Sequence, residues 1–227
     1  MGRTIASRYR PLVWVVFGFA SAGLVLADEP GKRTLYFPAG VFDHRADRNE
    51  WSDRRFSDAL TAMKEPSLWA RSQQNDEKTG QAYRFLWLRS FDRPVAIRVE
   101  NNGPGEIRLF TKVLDGHDGD GDLAIEQTKA LSEDQWIGLV KRVSVAGYWG
   151  MATSQPIWNY NEEGQISLLG MMDGADWVLE GKVFDDYHIV NRHSPSDKDH
   201  RGLGIYRELC LYILRLSDLD LGGERIY

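Results

Sequence analysis

The sequence predicts an α+β protein in which an antiparallel sheet, built from hairpins, has about three helices packed on it. Two observations lead to this fold class. Segments with strand character come in pairs joined by turns, whereas a parallel α/β sheet would alternate single strands with helices. Three helical segments each have one apolar face, and such a face needs a sheet to cover.

The first helix is predicted to begin at Ser52, a residue type that favours the N-cap position. Glu65-Pro66 interrupts it, and Pro66 begins a further turn that contains Leu68 and Trp69. The apolar residues of the helix follow at spacings of four and three: Phe56, Leu60 and Met63. The stretch 72–81 is polar and is predicted to be a loop.

Three strands are predicted next. Residues 83–89 are apolar on both faces, as expected of a central strand. Residues 95–101 alternate and lead into the turn 101–105, from which 107–114 returns as an antiparallel partner. A fourth strand is expected between residues 123 and 131.

The second half of the chain is predicted to add a helix, a hairpin and a last helix. Ser132 and Gln135 form a capping box, and Gly147 is the expected C-terminal cap. Strands at 177–183 and 187–192 are expected around a three-residue loop, which would place His188 on a solvent-facing side. The apolar stripe of the last helix is Leu203, Tyr206, Leu209, Cys210, Ile213 and Leu216.

The N-terminus has the order of a secretory signal peptide. Three arginines precede an uncharged run at 11–27, which ends in small residues before Asp28. We expect cleavage after Ala27 and a periplasmic or extracellular protein; the alternative is a single N-terminal membrane anchor. The predicted organisation is a signal peptide at 1–27, a partly ordered arm at 28–51, a single α+β domain at 52–221 and a flexible tail at 222–227.

Charge and cysteine content narrow the class of protein. The predicted signal holds three of the 28 Lys and Arg and none of the 33 Asp and Glu, so the remaining chain has a formal net charge of −8. That balance argues against nucleic acid and against anionic membrane surfaces, both of which need a cationic surface. Cys210 is the single cysteine, so no intrachain disulfide forms, which favours a bacterial periplasm or exterior. We expect Cys210 to be a core residue.

The loop 115–122, DGHDGDGD, is the strongest metal candidate. Alternating carboxylates and glycines suit a calcium ion, which prefers six to eight oxygen ligands. The loop fails the EF-hand pattern, because neither Asp115 nor Asp118 as a first position gives the required glycine at the sixth. We therefore expect no metal site, with calcium at this loop as the alternative.

His188 and His193 are the candidate catalytic residues, with Asp185 and Asp186 upstream and Ser194 just after. A hydrolase needs a nucleophile, a base and an orienting acid that converge in space, and proximity in sequence does not supply this. The chain has neither a Gly-x-Ser-x-Gly nor a His-Glu-x-x-His motif. His44 and His200 lie in polar segments and support no assignment.

Several tryptophans are candidates for a ligand groove. Trp87, Trp136 and Trp177 fall on predicted core faces. The segments 148–149 and 158–160, YW and WNY, are less constrained, and packing in the core or in loops is the alternative to a groove.

Five short stretches carry a resemblance that extends over most of the chain after residue 28. They are EPSLW at 65–69, YRFLWLRSF at 83–91, KVLDG at 112–116, WVLEG at 177–181 and YHIVNRHSP at 187–195. Together they resemble a family of uncharacterised exported bacterial proteins. The resemblance implies bacterial export; it implies no activity, cofactor or catalytic residue.

The sequence therefore favours an exported, soluble, non-enzymatic module that binds a protein or a small ligand through a sheet face or a loop. The alternative is an envelope hydrolase that uses His188 or His193 with nearby acids. No catalytic residue, cofactor or metal is assigned, and the partner and oligomeric state stay open.

Overall fold

The computed structural model describes residues 35–42, 46–74, 80–155, 158–160, 166–168, 173–196, 203–224 and 226–227. The predicted signal peptide lies outside these ranges, and so do residues 28–34 and 43–45 of the predicted arm. The boundaries of the signal and arm therefore stay predictions, and so does the flexibility of the tail.

The helices and strands follow one another in the order that the fold class implies. The first half contains α1 (Ala46–Ala62), α2 (Leu68–Ser72), β1 (Gln81–Arg89), β2 (Val95–Asn101), β3 (Ile107–Leu114), β4 (Leu123–Ala130) and α3 (Glu133–Val145). A 3₁₀ turn at Tyr148–Gly150 precedes β5 (Trp158–Tyr160), β6 (Ile166–Leu168), β7 (Ala175–Val183), β8 (Asp186–His193) and α4 (Gly204–Ser217).

Six strands form one antiparallel sheet in the order β4-β3-β2-β1-β7-β8. The predicted α+β fold is therefore confirmed, with β1 and β2 at the centre and both hairpin pairs where the turns indicated them. The short strands β5 and β6 form a separate antiparallel pair, which the sequence pattern did not reveal.

Both faces of the central sheet are covered. One face packs against α3, α4 and the 3₁₀ turn, with Phe85, Trp87 and Trp177 in its core. The other packs against α1 and the segment around Phe37, with Leu86 and Val178 in its core. Strand β1 is buried on both sides. Nearly all of its residues are therefore either apolar or, like Arg84 and Arg89, charged and held in ion pairs.

Helix α1 begins earlier than predicted. The structure starts it at Ala46, so Ser52 lies inside the helix and does not cap it. Apolar spacing reveals only the part of a helix that packs on a core, and here that part begins at Phe56. Trp51, one turn earlier, is 61% exposed. Solvent-facing turns leave no apolar pattern, so the prediction placed the helix start too late.

The predicted register of the β7–β8 hairpin is wrong. The loop has two residues, Phe184 and Asp185, and the pairing sets Trp177 opposite Arg192 and Lys182 opposite Tyr187. His188 therefore shares a face with Trp177 and not with Lys182. The prediction assumed one dry and one solvent-facing side, whereas helices cover both sides of this sheet.

Candidate functional site

The two candidate histidines lie on opposite faces of the sheet. They are five residues apart on one strand, and side chains of a strand alternate between its faces. His188 lies on the α3/α4 face, while His193 is paired with Asp176 on the α1 face. They cannot act together on one substrate.

His193 meets a carboxylate, as a hydrolase would require. Its Nδ1 lies 3.6 Å from Asp176 Oδ1, and its Nε2 lies 3.2 Å from the main-chain oxygen of Asp173. Asp176 also forms an ion pair with Arg55 of α1. Burial alone would raise the pKa of Asp176, but the hydrogen bond from His193 and the charge of Arg55 outweigh it and hold this pKa below its ordinary value. Both ring nitrogens of His193 therefore face groups of the protein.

Ser194 lies at the end of β8 and contacts the start of β7. Its Oγ accepts a hydrogen bond of 2.9 Å from the Ala175 amide, and its φ of +38° lies in a region that few non-glycine residues adopt. A Cβ at Gly174 would collide with both Ser194 Oγ and His193 Nε2, so a glycine is needed there. These contacts hold the start of β7 against the end of β8.

Asp185 and Asp186 are not part of this cluster. Both are exposed at the β7–β8 turn, at the opposite end of β8 from His193. Seven steps of about 3.3 Å put roughly 23 Å between them and His193. The residues that the hydrolase hypothesis grouped by sequence are therefore separated by the fold.

His188 packs among aromatic rings. Its ring centroid lies 5.1 Å from that of Tyr148 and 6.1 Å from that of Trp149. Burial lowers the pKa of His188, and the charge of Arg192 lowers it further, while main-chain contacts at Met151 and Tyr148 act in the opposite direction. His188 is thus a packed ring whose protonated form is disfavoured.

Two carboxylates of the exposed acidic loop contact groups of the protein. Asp115 Oδ1 accepts the amide of Asp122 at 2.8 Å, and Asp118 Oδ1 lies 2.5 Å from Arg55 Nη2. Nowhere in the described ranges do three or more His, Cys, Asp or Glu side chains come together in a way that suits a metal ion.

The remaining candidates divide between core and undescribed residues. Tyr148 is fully buried, and its hydroxyl donates to the main-chain oxygen of His188 at 2.7 Å, with that of Leu179 3.1 Å away, so it does not line a groove. Trp149 is 39% exposed. Cys210 is fully buried, as expected, and burial raises the pKa of its thiol. His44 and His200 lie outside the described residues, and so do the side chains of 158–160.

An open cleft of about 460 Å³ lies at the end of the sheet where β1 begins. The start of β1, the β2–β3 turn and the β7–β8 loop come together there. Its walls include two glycines, two asparagines, a glutamine, a glutamate and an aromatic ring: Gly80, Gln81, Asn101, Asn102, Gly103, Glu106 and Phe184. This volume lies within the range of small-molecule sites.

Phe184 stands at the rim of the cleft in an unusual conformation. Its φ is +55°, a left-handed value that is an outlier for a bulky residue, and its side chain is 61% exposed. Turns of this kind normally place glycine or asparagine at such a position. Strained residues of this type cluster at ligand sites.

Two hydrogen bonds between side chains and the main chain hold residues of the cleft in place. Asn101 Oδ1 accepts the amide of Gly103 at 3.0 Å, and Lys182 Nζ donates to the Gly80 oxygen at 3.2 Å. A Cβ at Gly80 would overlap the Asn101 main chain, so only glycine fits. Sequence reasoning missed this site because its residues come from three distant loops. The one local signal was an aromatic residue at the first position of a two-residue turn.

Comparison with models of known protein families finds no match, and comparison with curated proteins finds none either. The fold and the cleft therefore carry the functional argument. Within the described ranges, no helix combines the length and apolarity that crossing a bilayer requires.

Proposed function

We propose that the protein is an exported, non-enzymatic binding module whose ligand site is the cleft beside Phe184. The observation that carries the proposal is an exposed phenylalanine, held in a left-handed conformation, over walls of hydrogen-bonding side chains. Helices cover the central sheet faces, so binding falls to the loops and edges.

The cleft chemistry fits a small, neutral, polyhydroxylated ligand such as a saccharide. Side-chain amides both donate and accept hydrogen bonds, as hydroxyl groups do, and Gln81, Asn101 and Asn102 supply three of them. Glu106 adds an acceptor, and the Phe184 ring offers a flat apolar surface. The net charge of −8 after signal removal disfavours an anionic ligand.

Export is supported by the signal pattern at 1–27 and by the resemblance to exported bacterial proteins. A single, buried cysteine suits such a compartment, because the fold needs no disulfide. The oligomeric state plays no part in the proposal.

The test is a saccharide titration of wild-type protein and Phe184→Ala, followed by amide chemical shifts. We expect wild-type shifts to cluster on the cleft residues and the variant to bind at least about tenfold more weakly, the scale of one lost aromatic contact. Phe91→Ala is the matched control, because Phe91 is 66% exposed, lies at the far end of β1 and lacks a positive φ. Unchanged binding by Phe184→Ala, or no saccharide bound at about 10 mM, would refute the proposal.

The hydrolase remains a second candidate because His193 lies beside Asp176 and next to Ser194. Its test is hydrolysis of an activated ester by wild-type protein and His193→Ala. Activity that survives His193→Ala, or no activity above buffer, rules this candidate out.

A further inference from the structure

Residues 222–224, 226 and 227 follow α4 at the end of the sheet opposite the cleft. Glu224 and Tyr227 contact a surface formed by Trp87, Arg89, Phe91, Arg93 and Trp177, which we call the groove. Gly222 and Gly223, with φ of +57° and +90°, lead into it from α4. Glu224 then reaches two arginines: Arg89 Nη2 donates to its Oε2 at 2.6 Å, and Arg93 Nε donates to its Oε1 at 2.6 Å. Burial alone would raise the pKa of Glu224, but these hydrogen bonds lower it below its ordinary value.

Arg89 is the centre of the groove. Its side chain is fully buried, and its guanidinium lies 4.1 Å from the centroid of the Trp87 ring. Glu224 is the carboxylate with which it forms an ion pair. Among the described residues, the Nε and Nη1 atoms of Arg89 have no hydrogen-bond acceptor. A buried cation with unused donors is costly unless an anion is close.

Two buried indoles complete the groove. Trp177 Nε1 donates to the main-chain oxygen of Tyr227 at 2.8 Å, and Trp87 Nε1 points to the same oxygen at 3.4 Å. The amide of Phe91 donates to the Tyr227 hydroxyl at 3.2 Å. The groove thus presents guanidinium, indole and amide donors, which complement carboxylate and carbonyl oxygens.

We infer that this groove is a recognition site for an acidic, tyrosine-containing peptide segment, and that Glu224 and Tyr227 occupy it as a built-in ligand. The segment is held by two kinds of contact, the Glu224 carboxylate and the Tyr227 main chain and hydroxyl. Its link to the domain is a pair of glycines, which impose little conformational restraint. A partner peptide with a carboxylate three residues before a tyrosine therefore competes for the same donors. The saccharide cleft lies about 26 Å away along β1 and plays no part in this inference.

The test uses the full chain and a labelled probe, the amidated peptide Gly-Gly-Glu-Arg-Ile-Tyr. Glu224→Gln weakens the built-in ligand, and Glu208→Gln on the surface of α4 is the matched control. We expect Glu224→Gln to bind the probe at least tenfold more tightly than wild-type protein and Glu208→Gln do, with a change in tryptophan fluorescence. A probe with glutamine in place of glutamate should not bind.

A folded Glu224→Gln protein that binds the probe no better than wild type overturns the inference, because the segment would then be a permanent part of the fold. If Glu224→Gln fails to fold, hydrogen exchange of the wild-type protein decides. If the Phe91 amide exchanges its hydrogen at a lower denaturant concentration than the amides of the β1 core do, the segment opens separately and is exchangeable, which supports the inference. Opening together with the core overturns it.

Discussion

Arg55 joins three parts of the fold through one side chain. It extends from α1, forms an ion pair with Asp176 at the end of β7, and lies 2.5 Å from Asp118 of the acidic loop. It also donates to the Asp118 main-chain oxygen at 3.3 Å. One carboxylate of the acidic loop thus pairs with a cation of the protein itself.

Asp176→Asn is expected to lower the free energy of unfolding by about 2 kcal/mol at pH 7, the scale of a lost hydrogen bond to a charged group. The pKa of Asp176 is lower in the folded chain than in the unfolded chain. The ionised carboxylate therefore contributes fully to the free energy of unfolding above its unfolded pKa, about 3.9. This contribution is lost as the pH falls through the folded pKa. Urea unfolding at pH 7 and pH 3 should therefore show a smaller loss at pH 3.

Asp173→Asn is the control for this measurement. The Asp173 side chain is exposed, and its contact with His193 is made by the main chain, which the substitution leaves in place. We expect its effect to stay within about 0.5 kcal/mol. An equal loss at both pH values for Asp176→Asn would contradict the role of its charge.

At the scale of the elements, an ion pair joins β1 to β7. Arg84 and Glu180 stand directly opposite each other, both side chains are fully buried, and Arg84 Nε donates to Glu180 at 2.6 Å. Tyr187 donates to the same carboxylate at 2.8 Å. Burial raises the pKa of Glu180, although the charge of Arg84 and the hydrogen bond from Tyr187 act in the opposite direction. Arg84 Nη1 also lies 3.4 Å from the buried carboxylate of Glu65. Removing Glu180 therefore leaves Arg84 with a second buried carboxylate, whereas removing Arg84 leaves Glu180 without its arginine.

Arg84→Met is expected to cost about 4 kcal/mol, the scale of one lost partner of a buried pair, because it leaves Glu180 buried without its arginine. Glu180→Leu should cost less, about 2 kcal/mol, because Glu65 stays beside Arg84. The double variant should be less destabilised than Arg84→Met by about 2 kcal/mol, because it buries no carboxylate without a cation. Urea unfolding of the four proteins measures the coupling. The control cycle is Lys129 with Asp218, an ion pair 33% and 81% exposed, whose coupling should stay below about 1 kcal/mol. Additive costs at Arg84 and Glu180 would contradict this prediction.

Elements with local signals were predictable from the sequence. The Ser132–Gln135 capping box is present, and Gly147 follows α3 with a φ of +63°. The β2–β3 hairpin follows its turn, and β2 has the predicted bounds. Each of these features depends on residues within a few positions of one another.

Features set by distant contacts were not predictable. The β7–β8 register depends on α1 and α4 covering opposite faces, which no local pattern reports. The position of His193 beside Asp176 depends on that register, and the cleft depends on three loops meeting. Glu224 and Arg89 are 135 positions apart, so nothing near either residue indicates their pairing.

At the scale of the whole molecule, export remains a prediction with a direct test. When the protein is produced in a bacterium with two membranes, we expect it to lose residues 1–27 and to be recovered from the periplasm. Measurement of the intact mass should then show that Asp28 is the first residue. Ala27→Phe should block processing, because the −1 position requires a small residue. A protein that keeps residues 1–27 and stays with the membrane fraction would instead favour the anchor.

The position of Cys210 determines whether its thiol can form a disulfide with another molecule. Its sulfur lies on the face of α4 that packs against the sheet, fully buried beside Tyr206. A thiol of another molecule cannot reach it unless α4 separates from the sheet. Folded copies are therefore protected from cross-linking to one another, and a cross-linked dimer would mark chains that had opened.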